Sequence, residues 1–135
     1  MDTLSLAPDL MEAIIDHALT CYPEEACGLL GGAGARATRL YVVENILHGS
    51  EAYEMEPRQQ IKAMLAIEDE GLELVAIFHS HPHGPARPST TDIAQACYPK
   101  SAQIVVSLAD RQQPDVRAFV IQGGKATAIG LTTTS

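Results

Sequence analysis

The sequence has no long apolar run and no cluster of basic residues, and each absence argues against a class of protein. No apolar stretch among the 135 residues approaches the length that a helix needs to cross a bilayer. Nine Lys and Arg against 17 Asp and Glu give a formal net charge of -8, so the chain lacks the positive charge that neutralises phosphates. We therefore expect neither a nucleic-acid partner nor a membrane partner.

Cysteine is also scarce. Cys21, Cys27 and Cys97 are odd in number and no two of them have CxxC spacing, which argues against a disulfide framework and favours a reducing compartment. The first residues, Met1 to Leu4, lack the basic start and apolar run of a signal peptide. The sequence therefore predicts a cytoplasmic protein.

The spacing of the apolar residues predicts helices interleaved with strands. Helices are expected over about 8–21, 57–71 and 89–98, and strands over about 27–31, 38–45, 74–78, 104–106, 115–121 and 125–131. On the second helix, Ile61, Met64 and Leu65 are expected to face inward. No repeat or linker divides the chain. We predict an α/β (or α+β) fold, with residues 1–135 forming one domain in which helices pack on a mixed sheet.

A metal-ligand pattern follows the strand at 74–78. His79 and His81 are two residues apart, so on a strand their side chains point to the same side and can reach one ion. Asp92 can add a carboxylate oxygen if the chain folds back. Two imidazoles, one carboxylate and an open position for water are typical of catalytic zinc. We predict one Zn²⁺ per chain, bound by His79, His81 and Asp92.

Two features of this region have alternative interpretations. His83 continues the spacing of the other histidines and is a rival third ligand, although Pro82 and Gly84 indicate that the strand has already ended. Ser89 and Asp92 also have the spacing of a helix capping box. Capping is compatible with catalysis, because the cap would hold Asp92 in place while the Ser89 hydroxyl donates to a developing oxyanion.

A hydrolase of this kind also needs a proton acceptor. Glu24 and Glu25 lie before the strand at 27–31, and their spacing alone does not choose between them. Both also fit a solvated turn.

Together these residues resemble the JAMM (MPN-plus) metalloproteases. The signature of that family is a glutamate, then His-x-His, seven residues and Ser-x-x-Asp, and here Pro82 to Pro88 fill the seven positions. The stretch Pro23 to Gly31 resembles the family's Pro-x-Glu-x-Cys-Gly-Leu-Leu segment and selects Glu25 over Glu24. The resemblance implies an MPN-like domain with a curved sheet.

The same resemblance implies a catalytic role for each residue of the signature. His79, His81 and Asp92 would hold zinc. Glu25 would take a proton from water and return it to the leaving amine, and Ser89 would help stabilise the tetrahedral intermediate.

Members of the family cleave peptide or isopeptide bonds after the Gly-Gly tail of ubiquitin or ubiquitin-like proteins. The short chain looks like the compact prokaryotic branch, which implies a small ubiquitin-like sulfur-carrier protein as the partner. The segment 52–57 resembles a family stretch near the cleft, so Tyr53 and Met55 are candidate contacts for the tail. The alternative is that both side chains pack beneath a loop. The sequence does not define the oligomeric state.

Other functions remain as alternatives to this hypothesis. They are a non-catalytic, metal-stabilised interaction module, and a zinc peptidase that acts on other peptides. A DNA-repair relative of the same fold would carry an additional helical domain, which is absent here. Nucleobase deamination needs His-x-Glu with a downstream Pro-Cys-x-x-Cys, and the sequence has neither motif.

Overall fold

The computed structural model describes residues 1–134, and within that range seven strands close into a barrel beside three helices. In chain order the elements are β1 (Thr3–Leu6), α1 (Leu10–Cys21), β2 (Cys27–Ala33), β3 (Arg36–Val43), α2 (Pro57–Asp69), β4 (Glu73–His81), α3 (Thr90–Gln95), β5 (Ala102–Ser107), β6 (Asp115–Gln122) and β7 (Lys125–Thr133). The strand order is β1-β3-β2-β4-β5-β6-β7, and β1 closes the barrel by pairing with both β3 and β7. The mixed α/β character predicted from the sequence is confirmed.

The sheet is mixed because β4 pairs differently with its two neighbours. It runs antiparallel to β2, which places Cys27 opposite His79, and parallel to β5, which places Val105 beside His79. Close contact between these strands depends on Gly28, since a Cβ atom there would clash with the ring of Phe78. The end of β4 is therefore held inside the sheet on both sides.

Two clusters of buried apolar residues lie on opposite faces of the sheet. Neighbouring residues of one strand fall in different clusters, as Ile77 and Phe78 do, because successive side chains of a strand alternate in direction. The cluster that contains Phe78 packs against α1, and the cluster that contains Ile77 packs against α2. His79 continues the Ile77 face of β4 and so emerges on the α2 side of the sheet.

The inner face predicted for α2 is correct for Met64, which is partly buried against the cluster that contains Ile77, and wrong for the other two residues. Ile61 and Leu65 are 60% and 55% exposed, whereas Ala63 and Ile67 are buried. Ile67 fits against the sheet because Gly31 has no side chain; a Cβ atom there would lie 3.1 Å from Cγ1 of Ile67. The absence of a side chain at Gly31 therefore leaves room for Ile67 on the inward face of the helix.

Several element boundaries also differ from the predictions. The short strand β1 was not predicted, β4 continues to His81, and α3 is confined to Thr90–Gln95. The predicted turn between β6 and β7 is present, and Gly123 and Gly124 have φ angles of 57° and 74°, which suit a tight hairpin turn. No helix among residues 1–134 is both long and apolar enough to cross a membrane.

Candidate metal centre

Strand β4 delivers two histidines to one point on the sheet. His79 and His81 are 1% and 9% exposed, and both side chains leave the strand on the same side. Asp92, in the first turn of α3, meets them from the other side of the loop 82–89. The two histidine side chains therefore lie side by side on one face of β4, as their spacing predicts.

The three side chains form a compact triangle. The Nε2 atoms of His79 and His81 lie 3.0 Å apart, and Oδ2 of Asp92 lies 3.0 Å from each of them. Three electron-pair donors at this separation repel one another unless they share protons or a metal cation. A tetrahedral zinc ion with bonds of about 2.0–2.1 Å has its donor atoms about 3.3 Å apart, so the spacing fits such an ion closely. The donor set, two imidazoles and a carboxylate, is also that of catalytic zinc.

The ring of His81 is fixed by a second hydrogen bond. Its Nδ1 lies 2.9 Å from the carbonyl oxygen of Pro85, which can only accept, so Nδ1 carries a hydrogen. Nε2 is then the nitrogen left to bind a metal ion, or to hold a proton against Asp92 in the metal-free protein. The ring of His79 is held differently. Tyr53 stacks on it with ring centroids 4.9 Å apart, while its Nδ1 atom is buried without a partner among the described residues.

Two opposed effects set the pKa values of the three side chains in the metal-free protein: burial, and the attraction between the histidines and Asp92. Burial lowers the pKa of His79. Burial also opposes protonation of His81, but hydrogen bonds to Asp92 and to the Pro85 carbonyl outweigh it and raise the pKa of His81. For Asp92, burial opposes ionisation, yet hydrogen bonds from both histidines hold its pKa well below its usual range. The carboxyl group of Asp92 is therefore ionised near neutral pH.

A capping box holds Asp92 at the start of α3. The backbone N–H of Asp92 donates to Oγ of Ser89 over 3.0 Å, and the backbone N–H of Ser89 donates to Oδ2 of Asp92 over 2.8 Å. The same carboxylate oxygen therefore contacts both histidines and the cap. The capping interpretation of the Ser-x-x-Asp spacing thus applies, and it positions the carboxylate of the triangle.

Glu25 brings a second carboxylate to the triangle from the chain just before β2. The residue is only 3% exposed, and one carboxylate oxygen lies with ring nitrogens of His79 and His81 in a group whose atoms are within 4.8 Å of one another. Its Oε1 is buried with no partner among residues 1–134. Burial raises the pKa of Glu25 to about 7, with the charge of His81 opposing this shift. Glu24, in contrast, pairs with the exposed ring of His48 at 3.0 Å.

The raised pKa of Glu25 has a measurable effect on the stability of the metal-free protein. Between pH 4.5 and 7 the folded state keeps a proton that the unfolded state has released, so the free energy of unfolding falls as the pH rises. Glu25→Gln removes this loss. We expect the variant to gain about 2–3 kcal/mol over wild type between pH 5 and pH 8. Urea unfolding in chelator measures the gain, with the exposed Glu24→Gln as the matched control. An equal gain at both pH values would contradict the assignment.

Asn45 fixes the backbone around Glu25 and was not predicted from the sequence. It is 6% exposed, and its Nδ2 donates to the carbonyl oxygens of Glu25 and Ala52. Its Oδ1 accepts from the backbone N–H groups of Leu47 and Glu54. One amide thus ties Glu25 to the segment 52–55. A single asparagine in a polar stretch carries no periodicity that reveals this role.

The other predicted residues lie around the triangle. The ring of His83 packs edge-on against Tyr22 at 5.8 Å and is not part of the triangle. Tyr53 and Met55 line a narrow cavity of about 170 Å³ beside His79 and Asp92. The thiol of Cys27 is fully buried and donates to the carbonyl oxygen of Val43, and burial raises the pKa of this thiol to about 12.

The barrel, the His-x-His strand and the facing acidic residues define the JAB/MPN class of domain. Residues 7–122 match the family described as prokaryotic homologs of the JAB domain, and the chain belongs to that family. The family resemblance inferred from the sequence is confirmed.

Curated relatives and solved structures agree with this assignment. The chain is similar to the CysO-cysteine peptidase of Mycobacterium tuberculosis, with 32% identity over 92% of this chain and 86% of the relative. It is also similar to a probable TtuB-protein conjugate cleaving protease of Thermus thermophilus, with 38% identity over 89% of this chain and 77% of the relative. A solution structure from Desulfitobacterium hafniense shares 33% identity and a TM-score of 0.87 over 98% of this chain and 93% of that chain. A structure described as a JAMM metalloprotease-like zinc site has a TM-score of 0.59 at 16% identity, covers 96% of this chain and 97% of that chain, and shows the same fold.

Proposed function

We propose that the protein is a zinc-dependent peptidase that cleaves the bond after the C-terminal Gly-Gly of a small ubiquitin-like sulfur-carrier protein. One zinc ion per chain would be held by His79, His81 and Asp92. The observation that carries the proposal is the triangle of three donor atoms 3.0 Å apart beside a buried carboxylate. The names of the relatives, a peptidase acting on CysO-cysteine and a protease acting on TtuB conjugates, support the substrate class.

A zinc ion in this site would acidify water and polarise the scissile carbonyl. The chain itself supplies the orientation of the ligands. The hydrogen bond from His81 to Pro85 and the cap on Asp92 fix two of the three donors before any ion arrives, and Tyr53 covers the ring of His79. Pre-set ligands of this kind raise metal affinity because less ordering accompanies binding.

Glu25 is the residue that moves protons in this proposal. Its free Oε1 accepts a proton from the attacking water and then delivers it to the nitrogen of the leaving group. The water oxygen bonds to the carbonyl carbon, the C–N bond breaks, and the products are a Gly carboxylate and an amine. Burial raises the pKa of Glu25 in the metal-free protein and makes the carboxylate a stronger base, whereas a zinc ion beside it would lower that pKa again. A general acid–base group works best when its pKa lies near the operating pH.

Ser89 has a hydroxyl with two separate uses. A lone pair of its Oγ accepts from the Asp92 backbone, which leaves the hydroxyl hydrogen free to donate to the oxyanion that develops on the scissile carbonyl. The residue is exposed and lines the cavity that contains Glu25, so a substrate can reach it.

Ser89→Ala is expected to slow turnover by about 100-fold, the usual effect of losing one oxyanion donor. It should also lower stability by about 1 kcal/mol through the lost cap. Ser89→Gly is the matched variant, because glycine caps a helix almost as well as serine but has no hydroxyl. Steady-state rates and thermal unfolding of both variants separate the two roles. If glycine restored the rate together with the stability, the hydroxyl would have a structural role only.

The narrow cavity beside His79 suits the Gly-Gly side of the substrate. It measures about 170 Å³, and Met55 and Tyr53 line it beside His79 and Asp92. Residues 54 and 56 direct their backbone hydrogen bonds to residues 44 and 46. Because peptide groups alternate along an extended chain, the N–H and C=O of Met55 face the other way and can pair with an added strand. A glycine tail bound there would place its last carbonyl near the triangle.

The proposal is tested by mass spectrometry on zinc-loaded protein. The substrates are CysO extended by one cysteine and TtuB joined to a lysine side chain, with and without a chelator. Chelator-sensitive release of a free Gly-Gly terminus is the expected result. Cleavage of unrelated peptides but neither carrier would leave a zinc peptidase with another substrate. Full zinc occupancy with no cleavage of any kind would support the non-catalytic interaction module.

A further inference from the structure

The triangle and Glu25 border two cavities that are lined by different residues. The narrow cavity that contains Tyr53 and Met55 lies on the side of His79 and Asp92. The second cavity, which we call the loop cavity, measures about 360 Å³, and its lining includes Glu25, Glu51, His81, Pro85, Arg87 and Ser89. Its volume falls within the range of about 300–1,000 Å³ that is usual for small-molecule sites.

The position of Glu25 assigns the loop cavity to the leaving group. The same carboxylate that takes the proton from water must reach the nitrogen of the departing amine. Glu25 lines the loop cavity together with His81, and it does not line the narrow cavity. It also lines a third cavity beside His48, but no residue of the triangle reaches that cavity. The acyl side of the substrate therefore occupies the narrow cavity, and the residue after the scissile bond occupies the loop cavity.

Arg87 lines the loop cavity at the end of a well-anchored loop. The carbonyl oxygen of Gly84 accepts from the Ser107 hydroxyl over 2.6 Å, and that of Pro85 accepts from His81 over 2.9 Å. Ala86 is buried with 6% exposure. The backbone that presents Arg87 is thus held from three directions, although the residue itself is exposed.

The guanidinium of Arg87 has no ion pair among residues 1–134, where the arginines that do pair are Arg39 and Arg117. In a chain of net charge -8, an arginine without an internal partner beside a hydrolytic centre is free to bind an anion. Arginine offers a fixed fork of N–H donors that matches a carboxylate.

We propose that Arg87 binds the free α-carboxylate of the amino acid or short peptide that leaves after the Gly-Gly bond is cleaved; this inference rests on the proposed function. The cavity also offers negative charge to the amino group of the leaving residue. Glu51 lines the same cavity as Glu25, so the amine of a departing zwitterion meets carboxylates while its own carboxylate meets Arg87. A lysine side chain in a folded target has no α-carboxylate at this place. The site therefore selects linear C-terminal extensions over isopeptide conjugates.

The test compares two forms of one substrate, CysO extended by a single cysteine that ends either in a free carboxylate or in a carboxamide. For zinc-loaded wild type, we expect kcat/KM to be about tenfold higher for the free acid, the lower end of the effect of a hydrogen bond to a charged group, because Arg87 is exposed. For Arg87→Gln, the acid-to-amide ratio of kcat/KM should fall to about one. Arg87→Lys should retain part of the preference, since it keeps the charge without the fork.

The ratio is measured within each variant, so a change in the amount of folded enzyme cancels. Arg58→Gln is the matched control, because Arg58 is exposed at the start of α2 and lines a different cavity. Equal rates on acid and carboxamide in wild type would overturn the assignment of Arg87 and leave the proposed function intact. The same holds if Arg87→Gln slowed both forms equally. Failure of wild type to cleave either form would overturn the proposed function, and the inference with it.

Discussion

Glu25→Gln is expected to slow hydrolysis by about 10²–10⁴-fold, the usual contribution of a positioned general base. Glutamine has nearly the same shape but cannot accept the proton of water, and it cannot return one to the leaving amine. Zinc binding should persist, because the three closest donor atoms belong to His79, His81 and Asp92. The measurements are kcat on a carrier substrate and the zinc-to-protein ratio on the same preparation.

The control for this experiment lies in the adjacent position. Glu24→Gln changes an exposed carboxylate that pairs with His48, so it should retain the wild-type rate. Undiminished turnover in Glu25→Gln would show that another group is the base. Loss of zinc together with activity would show that Glu25 is a metal ligand. The geometry permits this outcome, because a carboxylate oxygen of Glu25 lies within 4.8 Å of the histidine nitrogens.

His81→Ala is expected to remove both bound zinc and activity. Three protein ligands are the usual number at a catalytic zinc, and with two left the ion is held weakly. We expect the zinc-to-protein ratio after dialysis to fall from about one to near zero, as elemental analysis would show. Because Pro85 loses its hydrogen-bond donor in this variant, circular dichroism should accompany the metal analysis to confirm that the sheet is intact.

Two other histidines provide the comparison. His48→Ala removes an exposed ring that pairs with Glu24 and contacts no residue of the triangle through this pair. The variant should therefore leave the zinc content unchanged. His83→Ala tests the rival ligand directly. Its ring packs on Tyr22, so zinc should again be retained. Zinc loss in His83→Ala but not in His81→Ala would reverse the ligand assignment.

The sequence predicted the histidine pair well because the relevant rule is local. Side chains two apart on a strand share a face wherever the strand lies, so His79 and His81 could be placed together before any tertiary structure was known. The end of that strand was missed. The apolar run stops at Phe78, but pairing of His79 with Cys27 and of His81 with Ser107 continues the strand through polar residues. The length of β4 is therefore set by its pairing with the neighbouring strands β2 and β5.

The face of α2 was missed for a related reason. The pair Ile61 and Leu65 and the pair Ala63 and Ile67 both have a spacing of four, so helical periodicity favours neither. Residue size favoured the exposed pair. The choice depends on Gly31 in a strand far along the chain, which gives Ile67 its space. The hydrogen bond from Asn45 to the backbone of Glu25 also joins residues that are distant in sequence, so no local pattern predicts it.

The closure of the barrel has a consequence for the order in which the chain folds. Strand β1 pairs with β7 through Thr3 and Gly130, so the seam joins segments from the two ends of the described chain. During synthesis, Glu25 and all three donors of the triangle leave the ribosome well before β7 does. A nascent chain can therefore assemble β2 beside β4 and gather the site while the sheet is still an open ribbon. Because the pairing of β1 with β7 is long-range and carries a large loop-closure entropy, we expect closure of the barrel to be the slow step of folding, and the open edges to be prone to association until it occurs.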